Sequence, residues 1–349
     1  MDALISPRRR TLIAALGSAS LLAACGESRP RAAAPHFGGP AMGSSYTVKL
    51  AGSVDDALAA RAADAVREAI ARVEAQMSTW LPDSELARFK RHAAGVPFGF
   101  SAETYAVLSL AQRVARATGG AFDATVAPAV DAWGFGPGRA HRVVPASERA
   151  GLAPRIGYNL IVLDDATRSA TKARAGTALD FSGIAKGYAV DRAAAALDAL
   201  GLERYMVEAG GEVRTRGLNG DGVPWRIAIE QPDAMPPRAH FLVPLAGLSL
   251  ATSGDYRIWF EQDGRRFSHE IDPASGAPVV HALASVSVAA SDCAYADAMA
   301  TALFVMGPER AAAFAARNGI AAYFIVRDAA RLVPSASPAF ARLGGTRLA

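Results

Sequence analysis

From residue 54 to residue 77, apolar side chains recur every three or four positions: Leu58, Ala62, Val66, Ile70, Val73 and Met77, with charges between them. That spacing lays one apolar stripe along a helix, so 54–77 is predicted as an amphipathic helix. Ser53 with Asp56 three residues on resembles a capping box at its start. A second helix is predicted over 102–118, with Ser101 at its N-cap and Gly119 as its stop, and a third over 186–200, closed by Gly201. The remaining periodicity is that of strands. Short apolar or alternating runs at 45–50, 159–163, 205–208, 212–216, 225–230, 256–260, 266–271, 285–289 and 321–326 are bounded by turn residues. Among these, Gly210-Gly211, Asn219-Gly220 and Asp263-Gly264 mark tight turns, the last between two strands of a predicted hairpin. Further helices are predicted at 295–306 and 309–318, and a Gly/Pro/Arg-rich loop at 135–154. Helices alternate with hairpins, not with single parallel strands, so the fold class is α+β, with largely antiparallel sheets and flanking helices.

Composition narrows the function classes. Of the 349 residues, 51% are apolar and 20% charged, which suits a folded protein with a large core. The net charge of +4 comes without a dense Lys/Arg patch interleaved with aromatics, which argues against nucleic-acid binding. The first residues change the picture more. Arg8, Arg9 and Arg10 precede an apolar run, 11–24, that is too short to span a bilayer comfortably. This is a signal-peptide pattern, and Ser6-Pro7-Arg8-Arg9 carries a hint of a twin-arginine signal. The run ends in Leu22-Ala23-Ala24-Cys25, which resembles a bacterial lipobox, the alternative being an ordinary signal peptide with a chance cysteine. The expected organisation is a signal peptide at 1–24, a lipid tether at 25–40 beginning at a lipidated Cys25, and a catalytic domain at 41–349. The expected location is the periplasmic side of a bacterial membrane, after export. Cys293 is then left without a partner, so no intramolecular disulfide is expected.

Four segments carry candidate chemistry. Gly119 to Thr125 follows a helix stop, where glycines allow close backbone approach and Phe122 beside Asp123 offers a ring and an acceptor, although a plain helix C-cap has the same appearance. Asp180 to Tyr188 runs from a strand end into a helix start, where free N–H groups and Lys186 suit phosphate. A simple strand–turn–helix junction is an equal reading. His269, before Asp272-Pro273, is placed for general-base work near neutral pH, or is an ordinary exposed histidine. Asp297 and Thr301 lie four apart on one helix face. A carboxylate with a hydroxyl suits Mg²⁺ that keeps phosphate and water ligands, although Asp297 can equally serve the helix dipole.

Taken in order, these segments resemble the ApbE family of FAD:protein FMN transferases. The likeness begins at Met42 to Tyr46 and continues through Met77 to Trp80, Asp83-Ser84-Glu85, Gly120 to Thr125, Trp133-Gly134-Phe135 and Asp180 to Asp191. It takes in Glu208 to Glu212, Thr252 to Tyr256, His269 to Pro273 and Asp297 to Thr301, nearly the whole mature chain. The resemblance implies a T-fold-like, internally duplicated α+β architecture. It implies FAD held by Met42, Trp80, Ala121, Phe122, Asp123, Asp180 and Lys186, with Glu270 and Ile271 just after the histidine. It further implies Mg²⁺ held by Asp297, Thr301 and the backbone carbonyl of Gly183, and His269 activating the acceptor hydroxyl. The implied reaction moves FMN from FAD to a Thr or Ser of an acceptor protein, typically a membrane redox subunit, and releases AMP. Two positions depart from the family pattern: Glu270 stands where a hydrophobic residue is usual, and Ala300 where some members carry aspartate. The competing expectations are a Mg²⁺-dependent FAD pyrophosphatase, with water as acceptor, and a non-catalytic FAD-binding lipoprotein.

Overall fold

The computed structural model describes residues 35–329 and 331–348. The expected signal peptide, at 1–24, and Cys25 lie outside the described residues. The chain opens with a hairpin, β1 (His36–Ala41) and β2 (Ser44–Leu50), and then α1 (Asp56–Met77) and α2 (Glu85–Arg91). β3 (Phe98–Gly99), α3 (Ala102–Ala117), α4 (Ala127–Trp133) and α5 (Ala146–Leu152) follow, then β4 (Ile161–Asp164), β5 (Ser169–Lys172) and α6 (Ala185–Ala199). The second half runs β6 (Tyr205–Ala209), β7 (Glu212–Arg216), β8 (Trp225–Glu230), β9 (Ala239–Leu245), β10 (Ser249–Gly254), β11 (Trp259–Gln262) and β12 (Arg265–Ser268). It continues with β13 (Ile271–Asp272), β14 (Ala277–Pro278), β15 (Leu283–Ala290), α7 (Cys293–Met306), α8 (Pro308–Arg317), β16 (Ala321–Asp328) and β17 (Arg331–Ala336), and ends on α9 (Pro338–Ala341) and β18 (Thr346–Arg347).

An eight-stranded sheet in the order β1-β2-β6-β7-β10-β15-β16-β17 is the centre of the fold, and its neighbours pair antiparallel. Its inner strands β6, β10, β15 and β16 bury residues on both faces, as a sheet covered on both sides requires, while the edge strands β1 and β17 carry exposed residues. In β16, Ala322 and Phe324 enter the large core with α1, α6 and α7, while Tyr323 and Ile325 enter a second core beneath β8 and β9. The molecule is therefore α+β in three layers: helices, the long sheet, and the small sheet β18-β9-β8. α7 lies deepest, buried nearly all round by alanines and large apolar residues, with Asp297 as its one charged side chain. A third apolar cluster joins α4 to the β11–β12 hairpin, through Trp133, Phe267 and Ile271.

Several boundaries differ from the sequence expectation, each for a local reason. Asp55, not Ser53, caps α1, because its carboxylate accepts from the N–H of Leu58 at 2.7 Å. The stretch 36–40, expected in the tether, instead forms the edge strand β1 against β2, so the folded part begins before residue 41. The predicted strand 266–271 breaks at His269 and Glu270, which lie between β12 and β13. The loop 135–154 contains α5, a helix that buries none of its side chains and so leaves no apolar stripe to read. The Asp263-Gly264 turn is as expected, both residues left-handed, with Gln262 opposite Arg265.

Candidate functional site

α6 and α7 cross with almost no side chain between them. A Cβ at Gly187 would stand 2.4 Å from the carbonyl oxygen of Cys293, so only glycine fits. The crossing is locked by two reciprocal caps. Asp191 of α6 accepts from the first-turn N–H groups of α7, Cys293 at 3.0 Å and Ala294 at 2.9 Å. Asp297 of α7 returns the interaction: its Oδ2 accepts from the N–H of Gly187, in the first turn of α6, at 3.0 Å. Ile184 supplies α6 with no side-chain cap, so Asp297 satisfies a donor that would otherwise be orphaned. Arg214 pairs with Asp191 and balances its charge.

One turn along α7, Thr301 meets the loop before α6. A Cβ at Gly183 would lie 2.7 Å from Thr301 Oγ1, so the Gly183 backbone and the Thr301 hydroxyl are held in contact by the missing side chain. Ser253 of β10 fixes the same hydroxyl, Oγ to Oγ1 at 3.1 Å. Asp297 Oδ2 is engaged by Gly187, while its Oδ1 takes no hydrogen bond among the described residues. A carboxylate, a hydroxyl and a backbone carbonyl form an oxygen-only donor set, which suits a small hard cation that keeps part of its hydration. Among the described residues no group of three or more His, Cys, Asp or Glu is placed to hold a metal ion, so any cation here relies on this mixed set.

Beside the crossing lies a buried charge cluster. Lys186 Nζ stands 2.5 Å from Glu212 Oε1. Burial works against its charge, but Glu212 and Asp297 outweigh that and hold the ammonium protonated. Burial raises the carboxyls of Asp297 and Glu212, and the Lys186 charge opposes both rises. Glu270 belongs to the same field: burial pushes it up to about 8, Lys186 pulls it down, and Asp297 and Asp255 push it further.

His269 stands 3.8 Å from Glu270, Nε2 to Oε1, with its side chain about one third exposed (32%). Its Nδ1 lies 3.1 Å from the carbonyl of Ile258. A carbonyl only accepts, so Nδ1 carries the proton and Nε2 is left with a free lone pair. Desolvation pushes the imidazole down to about 4, so it is neutral at pH 7. Trp133 steadies this region from below, donating from Nε1 to the carbonyl of Gly276 at 2.8 Å.

The other expected site residues divide. The Asp180 N–H donates to the Ala124 carbonyl at 2.7 Å, which ties the loop before α6 to the 119–125 turn. Asp123 and Asp180 are both buried and both raised by desolvation; Asp123 accepts from Thr125 and Asp180 from the Ser182 N–H. Met42 is left-handed at the β1–β2 turn. That turn approaches Lys186 through Gly210, where a Cβ would lie 3.2 Å from Lys186 Cδ and 3.7 Å from Ser44 Cβ. Ala121 is half-buried against the core, and Ile271 is buried beside α4. Phe122 corrects the expectation of a ring contact: it is only 3% exposed and its ring packs in the main core. Trp80 stands 65% exposed, joined to the rest of the site by no hydrogen bond, ion pair or ring contact among the described residues. The sequence reading passed over Asp191, Gly187, Glu212 and Ser253. All four lie in matched segments, but nothing in their spacing reveals a contact made across helices or strands.

The chain matches the model of the ApbE family over residues 42–324. A FAD:protein FMN transferase of Vibrio cholerae is 41% identical over 319 residues, 91% of this chain and 94% of that one. One of Haemophilus influenzae is 40% identical over 346 residues, 96% of this chain and 98% of that one. Among solved structures, the flavin transferase ApbE from Vibrio cholerae superposes with a TM-score of 0.80 at 39% identity, covering 88% of this chain and 98% of its own. The ApbE protein of Thermotoga maritima gives 0.81 at 28% identity, covering 89% and 99%.

Proposed function

The chain belongs to the ApbE family, and from that premise we propose that it transfers FMN from FAD to a Thr or Ser hydroxyl of an acceptor protein and releases AMP. The observation that carries the reading is the convergence at the α6–α7 crossing. Asp297 and Thr301 lie against the start of α6, Lys186 pairs with Glu212 beside them, and His269, with a free Nε2, lies within the electrostatic reach of Lys186. The Lys186 ammonium receives the pyrophosphate. Asp297, Thr301 and the Gly183 carbonyl would hold Mg²⁺, which would supply positive charge against the charge that develops in phosphoryl transfer. His269 Nε2 takes the proton of the acceptor hydroxyl. The oxygen then bonds to the FMN-side phosphorus as the bridging P–O bond breaks, and the electron pair of that bond leaves with AMP. The isoalloxazine changes no redox state in this reaction.

The acceptor we propose is a membrane redox subunit, met on the periplasmic side by an enzyme exported by its signal peptide and anchored through a lipid on Cys25. That part of the reading is supported by the lipobox-like Leu22-Ala23-Ala24-Cys25 and by the short apolar run before it.

The test is incubation of the purified protein with FAD and Mg²⁺, with and without a candidate redox subunit. AMP release and the acceptor's mass are then read together. Acceptor heavier by one FMN phosphoester, with AMP released in step and neither product in EDTA, is the expected result. AMP with only free FMN and an unmodified acceptor would make the protein a pyrophosphatase, and no AMP at all would sink both readings.

A further inference from the structure

Glu212 is the first residue of β7, set by a two-residue turn, Gly210-Gly211, so that it faces Ala209 of β6. The turn is tight because both glycines are left-handed, and the bare Gly210 leaves room for the Lys186 stem beside it. The Glu212 side chain is 1% exposed and accepts one side-chain hydrogen bond, at Oε1 from Lys186 Nζ; its Oε2 is buried without a partner among the described residues. The pair returns little net stability, because the Glu212 carboxylate has left water to make it. Its consequence lies in what it does to Lys186. The ammonium has three donors, Glu212 takes one, and no other acceptor is recorded among the described residues, so the remaining two are open to ligand oxygens. The lysine side chain stays about one third exposed (32%), and its charge is felt by Glu270 and His269.

We propose that Glu212 is a positioning residue of the transfer reaction: it aims the Lys186 ammonium at the FAD pyrophosphate and keeps it cationic in a dry setting. The proposal rests on the reading of Lys186 as a phosphate ligand. Facing Lys186 are Glu212 from β7, Asp297 and Cys293 from α7, and His269 and Glu270 from the segment after β12. Without Glu212, desolvation pulls the lysine toward neutrality, and Asp297 alone opposes it. FAD binding then weakens with rising pH, a dependence that a merely structural role would not create.

The experiment measures FAD affinity by flavin fluorescence in EDTA, from about pH 7 to pH 10, as the ratio of variant to wild-type Kd. For Glu212→Gln the ratio should grow with pH, by on the order of tenfold across that range. For Glu212→Gln combined with Lys186→Arg it should stay flat, since a guanidinium keeps its charge. Glu212→Asp, which keeps the carboxylate, should also stay flat and serves as the folding control. A flat ratio for Glu212→Gln, with Lys186→Met strongly impaired, would overturn the proposal for Glu212 alone. Unchanged FAD affinity in Lys186→Met would instead remove the phosphate-ligand reading on which it rests.

Discussion

Asp191 and Asp297 cap each other's helices: the α6 carboxylate holds the first N–H groups of α7, and the α7 carboxylate holds an N–H in the first turn of α6. The residue with the ligand chemistry is thus also a structural member, fixed in place by the crossing it helps to make. Function and fold meet at one contact, and variants there have to separate the two.

Asp191→Ala removes the cap from α7 and leaves Arg214 half-buried without its partner. A lost cap costs about 1–2 kcal/mol. The midpoint of urea unfolding should fall by that free energy divided by the slope, with the slope unchanged. Transfer should weaken as well, because Asp297 then rides on a looser helix.

Asp297→Asn and Asp297→Ala divide the two roles of that residue. Asparagine keeps an oxygen for the Gly187 N–H, so its melting temperature should stay near wild type, whereas alanine should lose about 1 kcal/mol. Both should lose Mg²⁺-dependent turnover, since a hydroxyl and a carbonyl are too little for a strongly hydrated ion. Full activity of purified Asp297→Asn at limiting Mg²⁺ would place the cation elsewhere.

Glu270, raised by burial to about 8, is largely protonated at neutral pH and ionises above it. Its ionisation adds a negative charge near the pyrophosphate, so FAD affinity should decline as pH passes about 8. Glu270→Gln is neutral throughout and should bind normally at pH 7 but without that decline. A parallel decline in the variant would assign the titration to another group.

How much of this was legible in the sequence depended on range. Elements with a clear period, such as the Leu58-to-Met77 stripe and the Asp263-Gly264 hairpin, appear within a few residues of their expected places. Asp297 and Thr301 likewise share one helix, α7, as their spacing predicts. The reciprocal caps, the Ser253–Thr301 contact and the Lys186–Glu212 pair join residues 26 to 110 positions apart, and no local pattern encodes them. Phe122 shows the converse failure. An aromatic beside a glycine turn reads as a ligand contact, yet its ring belongs to the core because the turn closes inward.

Cys25→Ala should abolish membrane association and leave the enzyme active in vitro, since every proposed FAD, metal and catalytic residue lies at Met42 or beyond. Fractionation of the host, with the mature protein's mass, checks both. Mature wild-type protein without acyl chains would contradict the anchor.

The most direct test of the transfer mechanism is a titration of FAD over His269→Ala while AMP release is followed with acceptor and Mg²⁺ present. A hydroxyl is a poor nucleophile at neutral pH, and a positioned base contributes on the order of 10²–10⁴-fold. With Nδ1 committed to the Ile258 carbonyl, Nε2 is the atom available for that proton. The variant should bind FAD nearly as wild type does and lose transfer by about that factor at every FAD concentration. The wild-type rate should also fall on the acid side only as pH nears about 4, where the buried imidazole protonates. Turnover restored at saturating FAD would contradict the account, because His269 would then be a binding residue and not the base.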